Sequence, residues 1–167
     1  MPKTSVAAAV AIGMLASAAV PGATKTTTMG VTASLADTCM VSASALMFPA
    51  YVAGSGTVTG SATLTVRCSN GAIYAVGLGA GSTPGTTFAQ RLLASGTHTL
   101  QYNLYVSNSY STVWGDGTGG TAVVGGTSTG FAAPDSLTVY GQLPDSANNK
   151  LAPPGAYGDT ILVVLSY

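Results

Sequence analysis

The chain contains no glutamate and a single histidine, His98; its acids are five aspartates and its bases are Lys3, Lys25, Arg67, Arg91 and Lys150. Charged residues make up 6% of it. That density gives no basic footprint for nucleic acid and no polybasic patch for a membrane surface. Acid–base catalysis is left to isolated aspartates, and His98 sits in Gly96-Thr-His-Thr, the sequence of a hairpin turn. Asp145 and Asp159 lie in or beside loops, where carboxylates are ordinarily solvated or accept turn hydrogen bonds. No metal site is expected from the same inventory, since His98 is the one soft ligand candidate beside the two cysteines. The segment 115–120, Gly-Asp-Gly-Thr-Gly-Gly, imitates a calcium loop but carries one acid where such loops supply several. No catalytic residue, cofactor or metal is therefore assigned.

Helix-forming stretches rich in Ala, Leu, Glu and Lys are also missing beyond the N-terminus. Glycine (22 residues), threonine and serine take their place. The chain is too apolar and too weakly charged for a disordered segment. This composition predicts an all-β domain, and 167 residues suffice for one such domain with a core of its own.

Residues 1–23 read as a signal peptide. Lys3 supplies the positive start, an uncharged Ala/Val-rich run follows, and small-residue cleavage sites occur around residues 16–23. A spanning helix is the competing reading, because the run approaches the roughly 20 residues a bilayer requires. Its alanine content, Gly13, Pro21 and terminal position favour the signal peptide, and with it no membrane insertion after removal. In an exported protein the only two cysteines, Cys39 and Cys68, are expected to form a disulfide.

Residues 24–38 form an arm in which Met29, Val31, Ala33 and Leu35 alternate with Thr28, Gly30, Thr32 and Ser34. Such period-two patterning makes a strand. It suits either the domain's own first strand or a strand lent to a neighbour, and pattern alone does not choose. From Cys39 the alternation runs through Val41 and Ala43, then changes parity to Leu46 and Phe48, which predicts a kink near Ser44. Val58 to Cys68 is the cleanest strand, placing Cys68 on the buried side as Cys39 is on its own strand. Further strands are expected over 72–78, 88–93, 100–106 and 137–143, with a weak one at 122–124. Residues 145–154 read as a polar, proline-ended connection.

In the last strand Ile161, Val163, Leu165 and Tyr167 share one face, and Leu162 and Val164 make the other face apolar too. A strand apolar on both sides belongs inside a sheet, and an uncovered one invites pairing with another chain. The seven or eight short strands together predict an antiparallel β-sandwich over 39–167. Trp114 and the tyrosines are candidates for a sugar-binding platform, against the commoner role of core anchors.

An ordered set of motifs carries a resemblance. It comprises Cys39-x-Val-Ser-Ala-Ser with Phe48 and Tyr51, Leu64-Thr-Val-Arg-Cys68-Ser-Asn-Gly71, Tyr74-x-Val-x-Leu78, Arg91, Leu100-x-Tyr-x-Leu-Tyr105, Trp114-Gly-Asp-Gly117, Val139-Tyr-Gly-x-x-Pro144, and Gly155-x-Tyr-x-Asp159 with Tyr167. Together these resemble the spore coat protein U family, whose best-understood members are subunits of archaic chaperone-usher pili. Pro49 stands where the family usually has glycine.

The resemblance implies an incomplete immunoglobulin-like β-sandwich completed by donor-strand exchange. It also implies a non-enzymatic pilus subunit whose partners are a periplasmic chaperone, an outer-membrane usher and other copies of itself. Its place would be a cell-surface fibre serving adhesion and biofilm formation. Met29, Val31, Ala33 and Leu35 would be the donor residues. Ile161, Val163, Leu165 and Tyr167, with the strand after Cys39, would border the acceptor groove and the chaperone-binding edge. A secreted lectin-like module and a coat protein that assembles without a pilus are the alternatives.

Overall fold

The structure, a computed structural model, describes residues 22–167. The signal peptide expected over 1–23 therefore lies almost wholly outside the described residues. They form two units, 22–34 and Leu35–Tyr167. Residues 22–34 carry no helix or strand and are exposed.

The second unit is built from eight antiparallel strands: β1 (Cys39–Ala43), β2 (Val58–Cys68), β3 (Ile73–Leu78), β4 (Arg91–Ser95), β5 (His98–Tyr105), β6 (Val124–Thr127), β7 (Asp135–Leu143) and β8 (Val163–Ser166). One short helix, α1 (Ala147–Lys150), lies between β7 and β8. The strands make a five-stranded sheet ordered β1-β2-β7-β5-β4 and a three-stranded sheet ordered β6-β3-β8. Alternation sets their inner faces. Leu64, Val66, Tyr74, Val76, Leu104 and Val139 all point into one buried cluster, with Trp114 from the loop after β5.

β2 spans the residues its alternation predicts and pairs with β7 from Val58↔Leu143 to Val66↔Asp135. Cys39 and Cys68 face each other in the β1–β2 ladder and are joined by a disulfide, so the staple holds two neighbouring strands of one sheet. β1 stops at Ala43, where Ser44 Oγ accepts from Thr63 N–H and the chain leaves the ladder, as the parity change predicts.

Four elements differ from expectation. The strand expected over 88–93 begins instead at Arg91, because Thr87 and Gln90 bond each other's backbone in a turn. β6 lies at Val124–Thr127, beginning two residues later than the apolar 122–124. Its Gly125 and Gly126 are needed there, since a Cβ on Gly125 would stand 2.5 Å from Tyr74 O. The connection 145–154 contains α1, capped by Ser146, whose Oγ accepts from Asn149 N–H. Finally, the last strand is shorter than the alternation over 161–167: it spans Val163–Ser166, with β3 as its ladder partner. Leu162 and Val164, on its outer side, are 69% and 47% exposed, so among the described residues it is an edge strand.

The loops are held by buried polar groups. Arg91, fully buried, donates to Gly79 O, Trp114 O and Asn103 Oδ1. Burial pushes its guanidinium below the ordinary value, with Tyr102 and Asp159 acting in the opposite direction. Three acceptors for one buried cation is the satisfaction such a group requires.

Candidate functional site

The site begins with what β8 lacks. Its inner residues Val163 and Leu165 point at the core and remain half-buried, and among the described residues no ladder runs along its second edge. Beside that edge the sandwich is open. A cleft of about 1010 Å³ descends between the segment 43–53 and the segment 152–163 to the inner face of the five-stranded sheet. Leu64, Leu93, Leu104, Val139 and Leu143 form its floor, and Leu78, Ile161 and Val163 its wall on the β8 side.

The opposite wall, 44–53, crosses the inner face of the β2–β7 ladder, and two glycines make room for it. Gly60 and Gly141 face each other in the register. A Cβ on Gly60 would stand 2.7 Å from Met47 O; one on Gly141 would stand 2.9 Å from both Leu46 δ carbons and 3.0 Å from Phe48. Glycine inside a strand commonly marks such a close approach. Phe48 meets Tyr102 edge-on at 6.0 Å between ring centroids.

Tyr51 ends this wall by donating to Asp145 Oδ1 at 2.6 Å, which also accepts from Gly54 N–H, while Lys150 pairs with Asp145 Oδ2 at 3.2 Å. The Tyr51 hydroxyl, then Gly54 N–H and Lys150, hold the Asp145 carboxyl down at about 2. The same hydrogen bond pushes Tyr51 up to about 12. Asn149 sits buried at the cleft's end, bonded to both backbone groups of Gln101 and to Pro144 O.

The β8 wall is organised by Asp159. Its Oδ1 accepts from Ser82 N–H and Oγ, from Thr83 N–H and Oγ1, and from Thr160 N–H; its Oδ2 accepts from Tyr102 Oη at 2.8 Å. Burial pushes the carboxyl up, but the Tyr102, Ser82 and Thr160 donors more than offset this and hold it below the ordinary range. The side chain read from sequence as an ordinary loop acid is a six-fold acceptor.

The residues singled out from the sequence are thus distributed as follows. Ile161 and Val163 line the cleft; Leu165 is half-buried against the core, and Tyr167 lies beyond β8, 63% exposed. Met29, Val31 and Leu35 are 84%, 82% and 93% exposed, and Ala33 is exposed too. Trp114 is 1% exposed with Nε1 donating to Val76 O, so it offers no platform to a sugar. Asp116 turns its carboxylate onto Thr118. Among the described residues no three His, Cys, Asp or Glu side chains gather, and no helix is long and apolar enough to cross a membrane. Gly60, Gly141, Asp145, Asn149 and Asp159 were missed as parts of one site. Inward-facing glycines on two strands were the available signal for the first pair.

Two sheets over one core, open beside the last strand, define an all-β sandwich of the immunoglobulin-like kind. The fold is similar to that of a chain in the crystal structure of the CsuC–CsuE chaperone–tip adhesion subunit pre-assembly complex from the archaic chaperone-usher Csu pili of Acinetobacter baumannii. The TM-score is 0.53 at 20% sequence identity, and the match covers 78% of this chain and 40% of that one. At such identity the likeness is one of fold. Residues 25–164 match the Spore Coat Protein U domain, and the chain belongs to that family. No curated protein matches it significantly.

Proposed function

We propose that this chain is a structural subunit of a chaperone-usher pilus that polymerises by donor-strand complementation, serving surface adhesion and biofilm formation. One observation carries the reading: an apolar cleft opens into the core beside an unpaired strand edge, and the same chain holds an exposed segment of alternating apolar residues. On this reading residues 1–23 export the chain and 24–38 are the donor arm. Residues 39–167 are the acceptor domain, with β8 as the edge that first a periplasmic chaperone and then the next subunit occupies after the usher's exchange.

The physics is strand addition, in which main-chain hydrogen bonds supply pairing and alternate side chains fill the pocket. Burying Met29, Val31 and Leu35 contributes about 1.5–3 kcal/mol each, or about 5–9 kcal/mol together before Ala33 is added. That is comparable with the whole stability of a domain, so the joint behaves as part of a core and opens slowly. Donation from one copy to the next is a head-to-tail contact that does not close, and it generates a filament.

Deleting residues 26–36 tests the reading. The variant should still occupy a chaperone but give no fibres by negative-stain microscopy; fibres of normal length would overturn it. Discrete particles from the unaltered chain would favour a coat protein that assembles without a pilus.

A further inference from the structure

Between the two sheets the chain crosses over in a few residues. Gly158 exchanges both backbone hydrogen bonds with Ala94 of β4, in the five-stranded sheet. By Leu162, whose carbonyl accepts from Gly79 N–H, it has joined the three-stranded sheet. In that crossing Thr160 N–H is bonded to side chains, Asp159 Oδ1 at 2.8 Å and Ser82 Oγ at 3.3 Å. Asp159 therefore stands where ladder bonding gives out. It ties the crossing to the β3–β4 loop through Ser82 and Thr83 and to β5 through Tyr102. The loop is shaped around it: Gly81 has φ +116°, and Asp159 Oδ2 occupies the place its Cβ would take. Asp159, Thr160, Ile161 and Val163 all line the cleft.

We infer that Asp159 is the positioning residue of this cleft, the latch that holds β8 and its crossing in the geometry an incoming strand requires. The inference rests on the donor-strand reading above. An unfilled apolar cleft lowers its free energy by closing, because its floor then leaves water. β8 resists with a ladder of four residues on one side, and the Asp159 network supplies the remaining constraint across both sheets. Without the latch, a smaller fraction of molecules presents an open cleft, and capture of a strand slows by that fraction. Once a strand is seated, its own main-chain bonds hold the second edge of β8, so release no longer depends on Asp159. Changes at interfaces act mostly on release; a change confined to capture distinguishes a latch from ordinary destabilisation.

The test uses the purified exported chain and an excess of a fluorescent synthetic peptide of residues 25–37, following capture and, by dilution, release. Asp159→Asn keeps the shape but replaces one of the two acceptor oxygens with an NH2 donor that faces other donors; it should capture about tenfold more slowly, with release within about twofold of the unaltered chain. Tyr102→Phe, which removes the one donor to Oδ2, should slow capture by about threefold. Asp116→Asn, whose carboxylate serves only its own turn, should change neither. Capture by Asp159→Asn at the unaltered rate, or equal effects on capture and release, would overturn the latch while leaving the donor-strand reading in place. An unaltered chain that captures no peptide would overturn both. Should Asp159→Asn fail to fold, Tyr102→Phe decides on the same two rates.

Discussion

β2 and β8 are written in the same way, apolar residues alternating along one face, and they end in opposite conditions. β2 has β1 on one side and β7 on the other, and its Leu64, Val66 and Cys68 are sealed in the core. Among the described residues β8 has β3 alone; Val163 and Leu165 reach toward the same core and stay half-buried. The outer faces differ as well. Thr59, Ser61 and Thr63 of β2 are exposed polar residues, whereas Leu162 and Val164 at β8 are exposed apolar ones. Alternation chooses which side chains face inward. Whether they are buried depends on how many neighbours the strand has and whether a sheet lies opposite.

The comparison can be broken most forcefully at its buried end. Leu64→Ala truncates a side chain that is 2% exposed, packed in the core beneath the cleft, and should cost about 2–5 kcal/mol by chemical denaturation. A similar midpoint in both proteins would show that β2 is not the enclosed partner. Next comes β1, an edge strand of the larger sheet. β1, unlike β8, is covalently stapled, and replacing Cys39 and Cys68 by alanine opens a link of sequence separation 29. The expected loss is about 3–4 kcal/mol on the loop-entropy estimate, read from the same denaturation curves. Gly141→Ala places a methyl against Leu46 and Phe48 and should cost about 1–3 kcal/mol while displacing the 44–53 wall.

Leu165→Ala sharpens the contrast. In the unfilled chain its cost should stay below about 1 kcal/mol, because the side chain is only half-buried. With the peptide of residues 25–37 bound, the cost should rise toward that of a core truncation; the same cost in both states would remove the distinction between β2 and β8.

The smallest effect is on pH dependence, and it reports the Tyr51–Asp145 tie. Asp145 is held at about 2, below its ordinary 3.8, so its contribution is complete above pH 4 and lost as the pH falls toward 2. Tyr51 is raised from 10.0 to about 12, so its contribution is complete below pH 10 and lost as the pH rises through 12. Tyr51→Phe should flatten both limbs of a plot of melting temperature against pH.

Much of the larger sheet was legible in residue order. The bounds of β2 follow from ten uninterrupted alternations, and the inward phase of Cys39 and Cys68 puts both thiols on one side of adjacent strands. β6 was hard to see because two of its four residues are glycines, chosen for the approach of Tyr74 and not for strand propensity. α1 was hidden in a polar connection of four helical residues, too short for a periodic pattern. Ile161 and Val163 were legible as groove residues. Asp159 was not legible as their organiser, since its donors come from positions 82, 83 and 102, far along the chain.

Residue order by itself determined the all-β class, the inward faces, the cysteine pairing and the family, because each rests on local alternation or on an ordered set of motifs. Tertiary structure alone decided that β8 pairs with β3, that the two sheets part beside it, and that Gly60, Gly141, Asp145 and Asp159 shape one cleft. Those facts depend on which distant segments come together, and a period-two pattern specifies a face without naming the neighbour that will cover it.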